Sequence, residues 1–393
     1  MKRGCVIGYD INEKGCQISY YDDSMEEPDT MMASSNNYLI PLVLGYFKDR
    51  WVFGKEAKRL AVVGEDCTET DLYGKAKRRE KVSLAGKTYD AVWLLAKYIS
   101  LTLQDFENIQ YLTFTTPETD VDMAKMLKGI GQHIGVDKEI INVQDYKESF
   151  CQYMIFQPKE LWQYESALFY CDEDRIKAYM LRRLRVDASH GMNSFVTVDE
   201  VANAQRKELE ALYPIMNKEK SPDESFKSMI ENVFEKKVIS SVYLTGEGFE
   251  KNWYPNSLRV LCNGRRAFMG NNLYSKGACY KSIRKCEPND DGPIYLDETK
   301  LTERICLRMR VDGQEGWYPL VTWGTHWYEA DGQWEVLLED ASDIEILVES
   351  LVDEEVQVEK VSLEGLPKRT DYSLRLQVEA MFLDERTCKL TFR

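Results

Sequence analysis

The sequence predicts an α/β protein in which a layered region of helices and strands is followed by an antiparallel β domain. Residues 89–145 contain a segment with apolar side chains at helical spacing, then a strand, a second helix and a short strand. This order favours an α/β architecture whose sheet is at least partly parallel. From residue 287 onward, alternating segments are separated by turns such as "DGQEG" and "DGQW". That pattern is typical of an antiparallel β domain of about a hundred residues.

Composition and charge limit the classes of partner. A chain of 393 residues with 44% hydrophobic residues is long enough for two or three domains. Its formal charge of −15 provides no global basic field to attract nucleic acid or an anionic membrane. The apolar run near the N-terminus stops at Asp10, too early for a signal-peptide core or a membrane span, so we expect a cytoplasmic protein.

Cysteine and histidine usage argues against a zinc site. The ten cysteines include no C-x-x-C pair, and the three histidines lie far apart in the sequence. This distribution favours reduced thiols in a reducing compartment.

The first domain opens with strands and contains two hairpin patterns. Residues 4–22 alternate as a hairpin, and short strands are predicted at 42–46 and 51–53 before a helix. A second hairpin, "SALFYCDEDRIKAYMLRRLR", has the polar tip Asp172, Glu173, Asp174 and Arg175. Residues 199–237 are predicted to be mostly helical, and "VISSVYLTG" to be a strand. The two hairpins indicate two related halves, about 1–160 and 161–286.

These segments, in this order, resemble the actin-like ATPase superfamily. "VIGYDINEKG" is similar to the first phosphate hairpin of that superfamily, and "IPLVLGYFKDRWVFGKEAKRLA" to the segment that follows it. "YLTFTTPETDVDMAKMLKGIGQHIGVDKEIINVQD" resembles the stretch before the first connecting motif, and "SSVYLTGEGF" the adenosine motif. The likeness is strongest to the nucleotide-binding domain of DnaK-type heat-shock chaperones and covers residues 4–285. It implies a two-lobed actin-like, ribonuclease H-like fold over residues 1–286.

The resemblance implies a site for ATP or ADP with Mg²⁺. In this family, glycine-rich hairpins bind the phosphates through backbone N–H groups, two hairpin aspartates hold Mg²⁺ through water, and a lysine neutralises the transferring group. Here Asp10 and Asp172 are the candidate aspartates, and Lys75, or Lys77 beside it, is the candidate catalytic lysine. The residues implied to contact the cofactor are Asp10, Asn12, Lys14, Gly15, Gly246, Glu247 and Gly248.

Both phosphate hairpins depart from the family pattern. Asn12, Glu13 and Lys14 stand where the family has Gly-Thr-Thr, so a carboxylate replaces a hydroxyl that would donate to phosphate. The second hairpin reads "DEDRIK" and has no glycine, and its acids would repel a triphosphate. We therefore expect ATP hydrolysis to be weak or absent. Bound nucleotide and no cofactor at all both remain open.

The C-terminal region, residues 287–393, is predicted to be a β-sandwich. "VEKVSLEGLPKRTDYSLRLQVEAMFLDERTCKLTFR" is similar to the later strands of the chaperone β-rich substrate-binding domain. The apolar linker of that family is replaced by "EPNDDG", so allosteric coupling is not implied. The segment "WYPLVTWGTHWYEADGQW" is rich in aromatic residues, which either form a binding face or pack in the core of the sandwich.

Three functions are compatible with this sequence. The first, which the sequence slightly favours, is a divergent chaperone-like protein with weak or absent ATP hydrolysis that binds a protein or peptide through its β domain. The second is a catalytically inactive actin-like scaffold for protein assembly, in which oligomers are possible. The third is an active ATPase or kinase with phosphate contacts at unfamiliar positions, and the lack of glycine in "DEDRIK" argues against it. None of the three requires nucleic acid or a membrane.

Overall fold

The computed structural model describes residues 4–34, 37–63, 67–173, 175–185, 194–205, 221–287, 292–339, 343–352, 356–364 and 373–393. The chain forms two compact units. The first comprises residues 1–182 and 198–290, and the second comprises residues 183–197 and 291–393. Residues 183–197 therefore belong to the second unit, although they continue the second hairpin in sequence.

The α-helices of the described residues are α1 Gly54–Val63, α2 Leu72–Lys77, α3 Ala91–Thr102, α4 Val121–His133, α5 Tyr146–Ile155, α6 Pro222–Phe234, α7 Pro255–Leu261 and α8 Leu273–Cys286. The strands of the first half are β1 Cys5–Ile11, β2 Gly15–Tyr21, β3 Asp29–Thr30, β4 Ile40–Pro41, β5 Leu44–Phe47, β6 Arg50–Phe53, β7 Thr68–Glu69, β8 Lys81–Leu84, β9 Lys87–Asp90, β10 Ile109–Thr116 and β11 Ile141–Asp145. The remaining strands are β12 Glu165–Cys171, β13 Arg175–Arg185, β14 Ser194–Gln205, β15 Ile239–Thr245, β16 Arg266–Met269, β17 Ile294–Tyr295, β18 Glu303–Val311, β19 Gln314–Val321, β20 Gly332–Glu339, β21 Asp343–Ser350, β22 Val356–Ser362, β23 Ser373–Phe382 and β24 Cys388–Phe392.

The first unit contains two sheets with the same strand arrangement. One has the order β11-β10-β1-β2-β3, and the other contains β16-β15-β12-β13-β14. Each sheet contains a hairpin, β1–β2 or β12–β13. The first strand of each hairpin pairs in parallel with a later strand, β10 or β15. That later strand pairs in parallel with a third, β11 or β16. The chain therefore repeats one mixed β-sheet plan.

Three of the helices between the strands have an aspartate at the N-cap position whose side chain accepts backbone hydrogen bonds. Asp90 precedes α3, and its side chain accepts hydrogen bonds from the backbone N–H groups of Val92 and Trp93. Asp120 and Asp145 cap α4 and α5 in the same way. Such caps satisfy N–H groups that have no partner within the helix. The helix predicted at 89–103 and those on either side of 141–145 are confirmed.

Helix α8 lies on β1, β2 and β10, and two glycines permit its close approach. A Cβ at Gly8 would stand 2.2 Å from the carbonyl oxygen of Ser275 in α8. A Cβ at Gly277 would stand 1.9 Å from the carbonyl oxygen of Ser149 in α5. Both distances are shorter than any tolerated carbon–oxygen contact, so each backbone crossing requires a residue without a side chain. Helices α5 and α8 thus cover one face of the first sheet.

One part of the predicted secondary structure is wrong. Residues 199–205, expected to be helical, continue strand β14, which neighbours β13 in the sheet. The β-branched residues Val196, Val198 and Val201 suit a strand, and pairing in the sheet outweighs the weak helical spacing after Asp199. The rest of the predicted helix before residue 221 lies outside the described residues. So do Asp174, much of "EPNDDG" and the "GLP" of the C-terminal segment.

Two antiparallel sheets of the second unit share one core. Their strand orders are β19-β18-β21-β22 and β20-β23-β24. Alternate residues of β23, Leu376, Val378 and Ala380, are buried in the same cluster as Ile305 and Ile346 of the other sheet. This is the arrangement of a β-sandwich, in which each strand buries every second side chain. Strand β17 pairs in parallel with the start of β14.

The described helices do not include a candidate membrane span. Each of them is too short or too polar to cross a lipid bilayer.

Candidate functional site

The two hairpins have the same geometry and align residue by residue. The last antiparallel pair of the first is Ile11 with Cys16, and that of the second is Cys171 with Ile176. Each pair encloses a loop of equal length. Asp10 therefore corresponds to Tyr170 in the second hairpin, and Asp172 corresponds to Asn12 in the first.

This alignment changes the role predicted for Asp172. Asp10 lies within strand β1, whereas Asp172 lies in the loop, two positions further along its hairpin. The strand position equivalent to Asp10 carries the phenol of Tyr170. The predicted Mg²⁺ site needs a carboxylate at the matching strand position of both hairpins. Here one hairpin has a carboxylate at that position and the other has a phenol. Among the described residues, no group of three or more His, Cys, Asp or Glu side chains is placed to hold a metal ion.

Several backbone N–H groups in the two hairpin loops already have intramolecular partners. In the first loop, Asn12 Oδ1 accepts hydrogen bonds from the N–H groups of Lys14 at 2.9 Å and Gly15 at 3.3 Å. In the second, Asp172 Oδ1 accepts from the N–H of Arg175 at 2.7 Å. A phosphate cradle needs such N–H groups to point at the ligand. The N–H groups of Lys14, Gly15 and Arg175 point instead at side chains of their own loops.

Asp10 is buried and is held by Tyr146, which is bonded in turn to Asn12. The residue is 3% exposed, and its Oδ1 accepts a hydrogen bond of 2.7 Å from the hydroxyl of Tyr146. That hydroxyl accepts a bond of 2.9 Å from the side-chain amide of Asn12. Burial raises the pKa of Asp10 to about 7, and the hydrogen bond from Tyr146 opposes part of this rise. Near neutral pH the carboxyl group is therefore partly protonated.

Tyrosine rings occupy the space around Asp10. The rings of Tyr146 and Tyr274 stack with centroids 3.8 Å apart and planes 7° from parallel, and both residues are buried. Tyr170 lies 6.4 Å from Tyr274 between ring centroids. Burial, followed by the charges of Asp172, Asp10 and Glu247, raises the pKa of Tyr170. The structure therefore brings these three acids close to one phenol and lines the site with aromatic carbon.

Lys14 forms an ion pair with Glu247 across the site. The contact joins the first hairpin to the turn after β15, and both side chains are partly exposed, at 47% and 40%. Burial lowers the pKa of Lys14, but the hydrogen bond and charge of Glu247 raise it more, and the charges of Glu173 and Asp172 add to the increase. The cation predicted to face a phosphate is thus neutralised by neighbouring carboxylates.

The candidate catalytic lysine is also paired. Lys75 in α2 donates to Glu69 at 2.8 Å, and Glu69 accepts from the N–H of Asp71 as well. Lys77 is exposed at the end of the same helix. The side chain of Lys75 is therefore bound to strand β7, which contains Glu69.

The glycines of the predicted adenosine motif have a packing role. Gly246 has a positive φ of 100°, and a Cβ there would stand 2.1 Å from the carbonyl oxygen of Cys171. A Cβ at Gly248 would stand 2.3 Å from the Cys171 sulfur and 2.9 Å from the Asp172 carbonyl oxygen. The turn after β15 thus lies directly on the end of β12. Its glycines allow this contact between two backbones.

Comparison with known protein families places the chain among proteins whose activity is not established. Residues 27–298 match the C-terminal region of a family described as a family of unknown function (DUF5716), and this match spans well over half of the chain. The chain belongs to this family. Residues 300–393 match a domain of unknown function (DUF8552). A search of the curated proteins gives no match.

A row of buried polar side chains across the first sheet of this DUF5716 protein was missed by the sequence analysis. Strand register places Gln17, Asp10, Thr115 and Gln144 side by side on β2, β1, β10 and β11. All four are buried, and Thr115 and Gln144 both contact the hydroxyl of Ser149 in α5. The signal in the sequence is a polar residue at every second position of otherwise apolar strands, as in "TFTT" and "NVQD".

The aromatic segment of the second unit contributes to its core and its rim. Trp327 and Trp334 pack against the core cluster, and Trp334 donates to the carbonyl of Pro319 at 3.3 Å. Trp323 donates to the carbonyl of Glu349 at 3.1 Å, and the guanidinium of Arg304 lies 4.3 Å from its ring centroid. Trp317 is 37% exposed. Three of these four tryptophans thus have partners within the unit, which supports the core-packing alternative.

Proposed function

We propose that this protein is a catalytically inactive actin-like scaffold that binds another protein. In this proposal its nucleotide cleft is closed by its own side chains. The single observation that carries the proposal is a set of contacts within the protein that occupy groups to which a phosphate would bind. Asn12 and Asp172 accept hydrogen bonds from N–H groups of their own loops, Lys14 is paired with Glu247, and Tyr170 stands where a second carboxylate is needed.

Electrostatics support the same proposal. Glu13, Asp172, Glu173 and Glu247 belong to the two hairpin loops and the turn that meets them, and Lys14 is the cation paired there. A triphosphate carries several negative charges, so each carboxylate within a Debye length of it raises the free energy of its binding. Stacked tyrosines at Asp10 add a second cost, because bound phosphate or Mg²⁺ requires polar contacts that aromatic carbon does not provide.

The actin-like architecture is part of the proposal. Its support is the repeated sheet plan, in which two hairpins with matched loops each lead a partly parallel sheet. A cytoplasmic location is proposed as well, and the ten free thiols are consistent with a reducing compartment.

A second candidate is the chaperone-like protein that binds a peptide through its β domain. The observation that favours it is the C-terminal unit, whose two antiparallel sheets share one core and form a sandwich. The two candidates differ in whether the β domain alone recognises an extended peptide.

Calorimetry and thermal unfolding of the full chain with millimolar ATP, ADP and Mg²⁺ test the proposal. We expect no heat of binding, no rise in melting temperature and no phosphate release. A ligand that binds the folded state raises its stability by RT ln(1 + [L]/Kd), so a site with submillimolar affinity is visible in this assay. A nucleotide-dependent rise in melting temperature that is abolished by Asp10→Ala, but not by Asp49→Ala at an exposed turn, would refute the proposal that the cleft is closed.

A further inference from the structure

The outer side of helix α1 combines three cations with an apolar end. Five of its six exposed residues occur at positions i, i+3, i+4, i+7 and i+8, which lie on one side of an α-helix, and the sixth is Glu56. The opposite side is anchored by the buried residues Gly54 and Ala57. The set of five, called the α1 face, is Lys55, Lys58, Arg59, Val62 and Val63.

The cations of the α1 face are unpaired within the described part of the chain. Glu56, the acid of this helix, is engaged by Arg50 through both of its oxygens. Lys55, Lys58 and Arg59 have no acidic partner among the described residues. An uncompensated basic cluster is notable in a chain with a formal charge of −15, because the average surface repels acidic partners.

The apolar end of the face distinguishes among anionic ligands. Val62 is 83% exposed and Val63 is 75% exposed, directly after the cations on the same side of the helix. Lys55, Lys58, Arg59 and Val62 together line an open concavity of about 350 Å³. A phosphate group or nucleic-acid backbone would use the cations and leave both valines in water. A protein segment with acidic residues followed by an apolar side chain uses both parts.

We propose that the α1 face docks an acidic amphipathic segment of a partner protein, with carboxylates opposite Lys55, Lys58 and Arg59 and an apolar side chain on Val62 and Val63. This inference rests on the proposed function, because it names the surface and the chemistry of a partner for a protein-binding scaffold. The charges set the orientation and the association rate, and the valines contribute desolvated contact area.

The test uses fluorescence anisotropy of a labelled synthetic peptide and the full chain. The peptide is an amphipathic helix of about 20 residues with glutamates before leucines on one side, since shorter helices are marginal in water. A scrambled peptide of the same composition is the ligand control. We expect the double variant Lys58→Glu, Arg59→Glu to weaken binding by about tenfold or more. The exposed control Lys236→Glu, at a position whose side chain is 89% exposed, should bind normally.

The valines have their own test. The double variant Val62→Ser, Val63→Ser should weaken the patterned peptide several-fold and leave the scrambled peptide unchanged. All substituted side chains are exposed, so equal melting temperatures are expected and show that each variant is folded.

Three outcomes would overturn the inference. They are equal binding of patterned and scrambled peptides, displacement of the peptide by inorganic phosphate or a duplex oligonucleotide at the same charge concentration, and binding to vesicles of phosphatidylcholine and phosphatidylserine that depends on the same cations. Each identifies a general anion site. Nucleotide calorimetry on the same variants separates the two proposals. ATP turnover would refute only the proposal that the nucleotide cleft is closed. Loss of peptide selectivity would refute only the proposal that the α1 face docks an acidic segment.

Discussion

Replacement of Asp10 by Asn should stabilise the protein at neutral and alkaline pH. Burial raises the pKa of Asp10 from 3.8 to about 7. The folded state therefore binds a proton more tightly than the unfolded chain between these values, and stability falls as pH rises through that window. A shift of about 3 units at 1.36 kcal/mol each corresponds to about 4 kcal/mol.

The Asn side chain matches protonated Asp10 in shape and charge. Its Oδ1 still accepts the hydrogen bond from Tyr146, which in the wild type is 2.7 Å long. Asp10→Asn and the wild type should therefore be equally stable near pH 4. The variant should gain up to about 1.4 kcal/mol per pH unit and reach a constant advantage of about 4 kcal/mol above pH 7.

Denaturation by guanidinium, followed by circular dichroism at 222 nm from pH 4 to 8, measures this difference. The α-helices of the described residues all lie in the first unit, so the signal reports the unit that contains Asp10. The matched control is Asp49→Asn at an exposed turn, which should change stability by less than about 0.5 kcal/mol at every pH. A stability difference for Asp10→Asn that does not vary with pH would contradict a buried carboxyl with a raised pKa.

Two further predictions concern the turn after β15. Gly246→Ala should destabilise the first unit by about 2 to 4 kcal/mol, because its Cβ meets backbone and its φ is positive. Gly264→Ala, at a positive φ with no atom within 4 Å, should cost only about 1 kcal/mol, and equal losses would exclude the steric account. A double-mutant cycle of Lys14→Ala and Glu247→Ala should give a coupling below about 1 kcal/mol that declines with salt, since both side chains are over one-third exposed. A coupling of several kcal/mol would mean that the pair is desolvated.

Much of the first unit is predictable from the sequence because its elements carry strong local patterns. The alternation before and after Asp10 predicts strands β1 and β2, and the helical spacing after Tyr89 predicts α3. Both are present with bounds that differ by a few residues. The error at residues 199–205 has a different origin. Whether these residues pair as a strand depends on the strands beside them in the folded protein. The spacing of apolar residues along the sequence does not reveal those neighbours.

The candidate site was predicted only in part for the same physical reason. Asp10 and the two hairpin loops could be located, because turn residues and strand ends are local features. The correspondence of Asp10 with Tyr170, and not with Asp172, depends on which residues close each hairpin. The partners Tyr146 and Tyr274 come from helices far along the chain, and no local pattern connects them to Asp10.

In the proposed actin-like scaffold, the contacts at the site act in one direction. Asn12 accepts hydrogen bonds from N–H groups of its loop, Glu247 neutralises Lys14, and Tyr146 donates to the carboxylate of Asp10. Each contact satisfies within the protein a polar group that a nucleotide or Mg²⁺ would satisfy in an ATPase of this fold, so that group is not left unpaired in an empty cleft. A scaffold that must keep its fold without a ligand gains stability from such contacts. An ATPase would lose its substrate site through the same contacts.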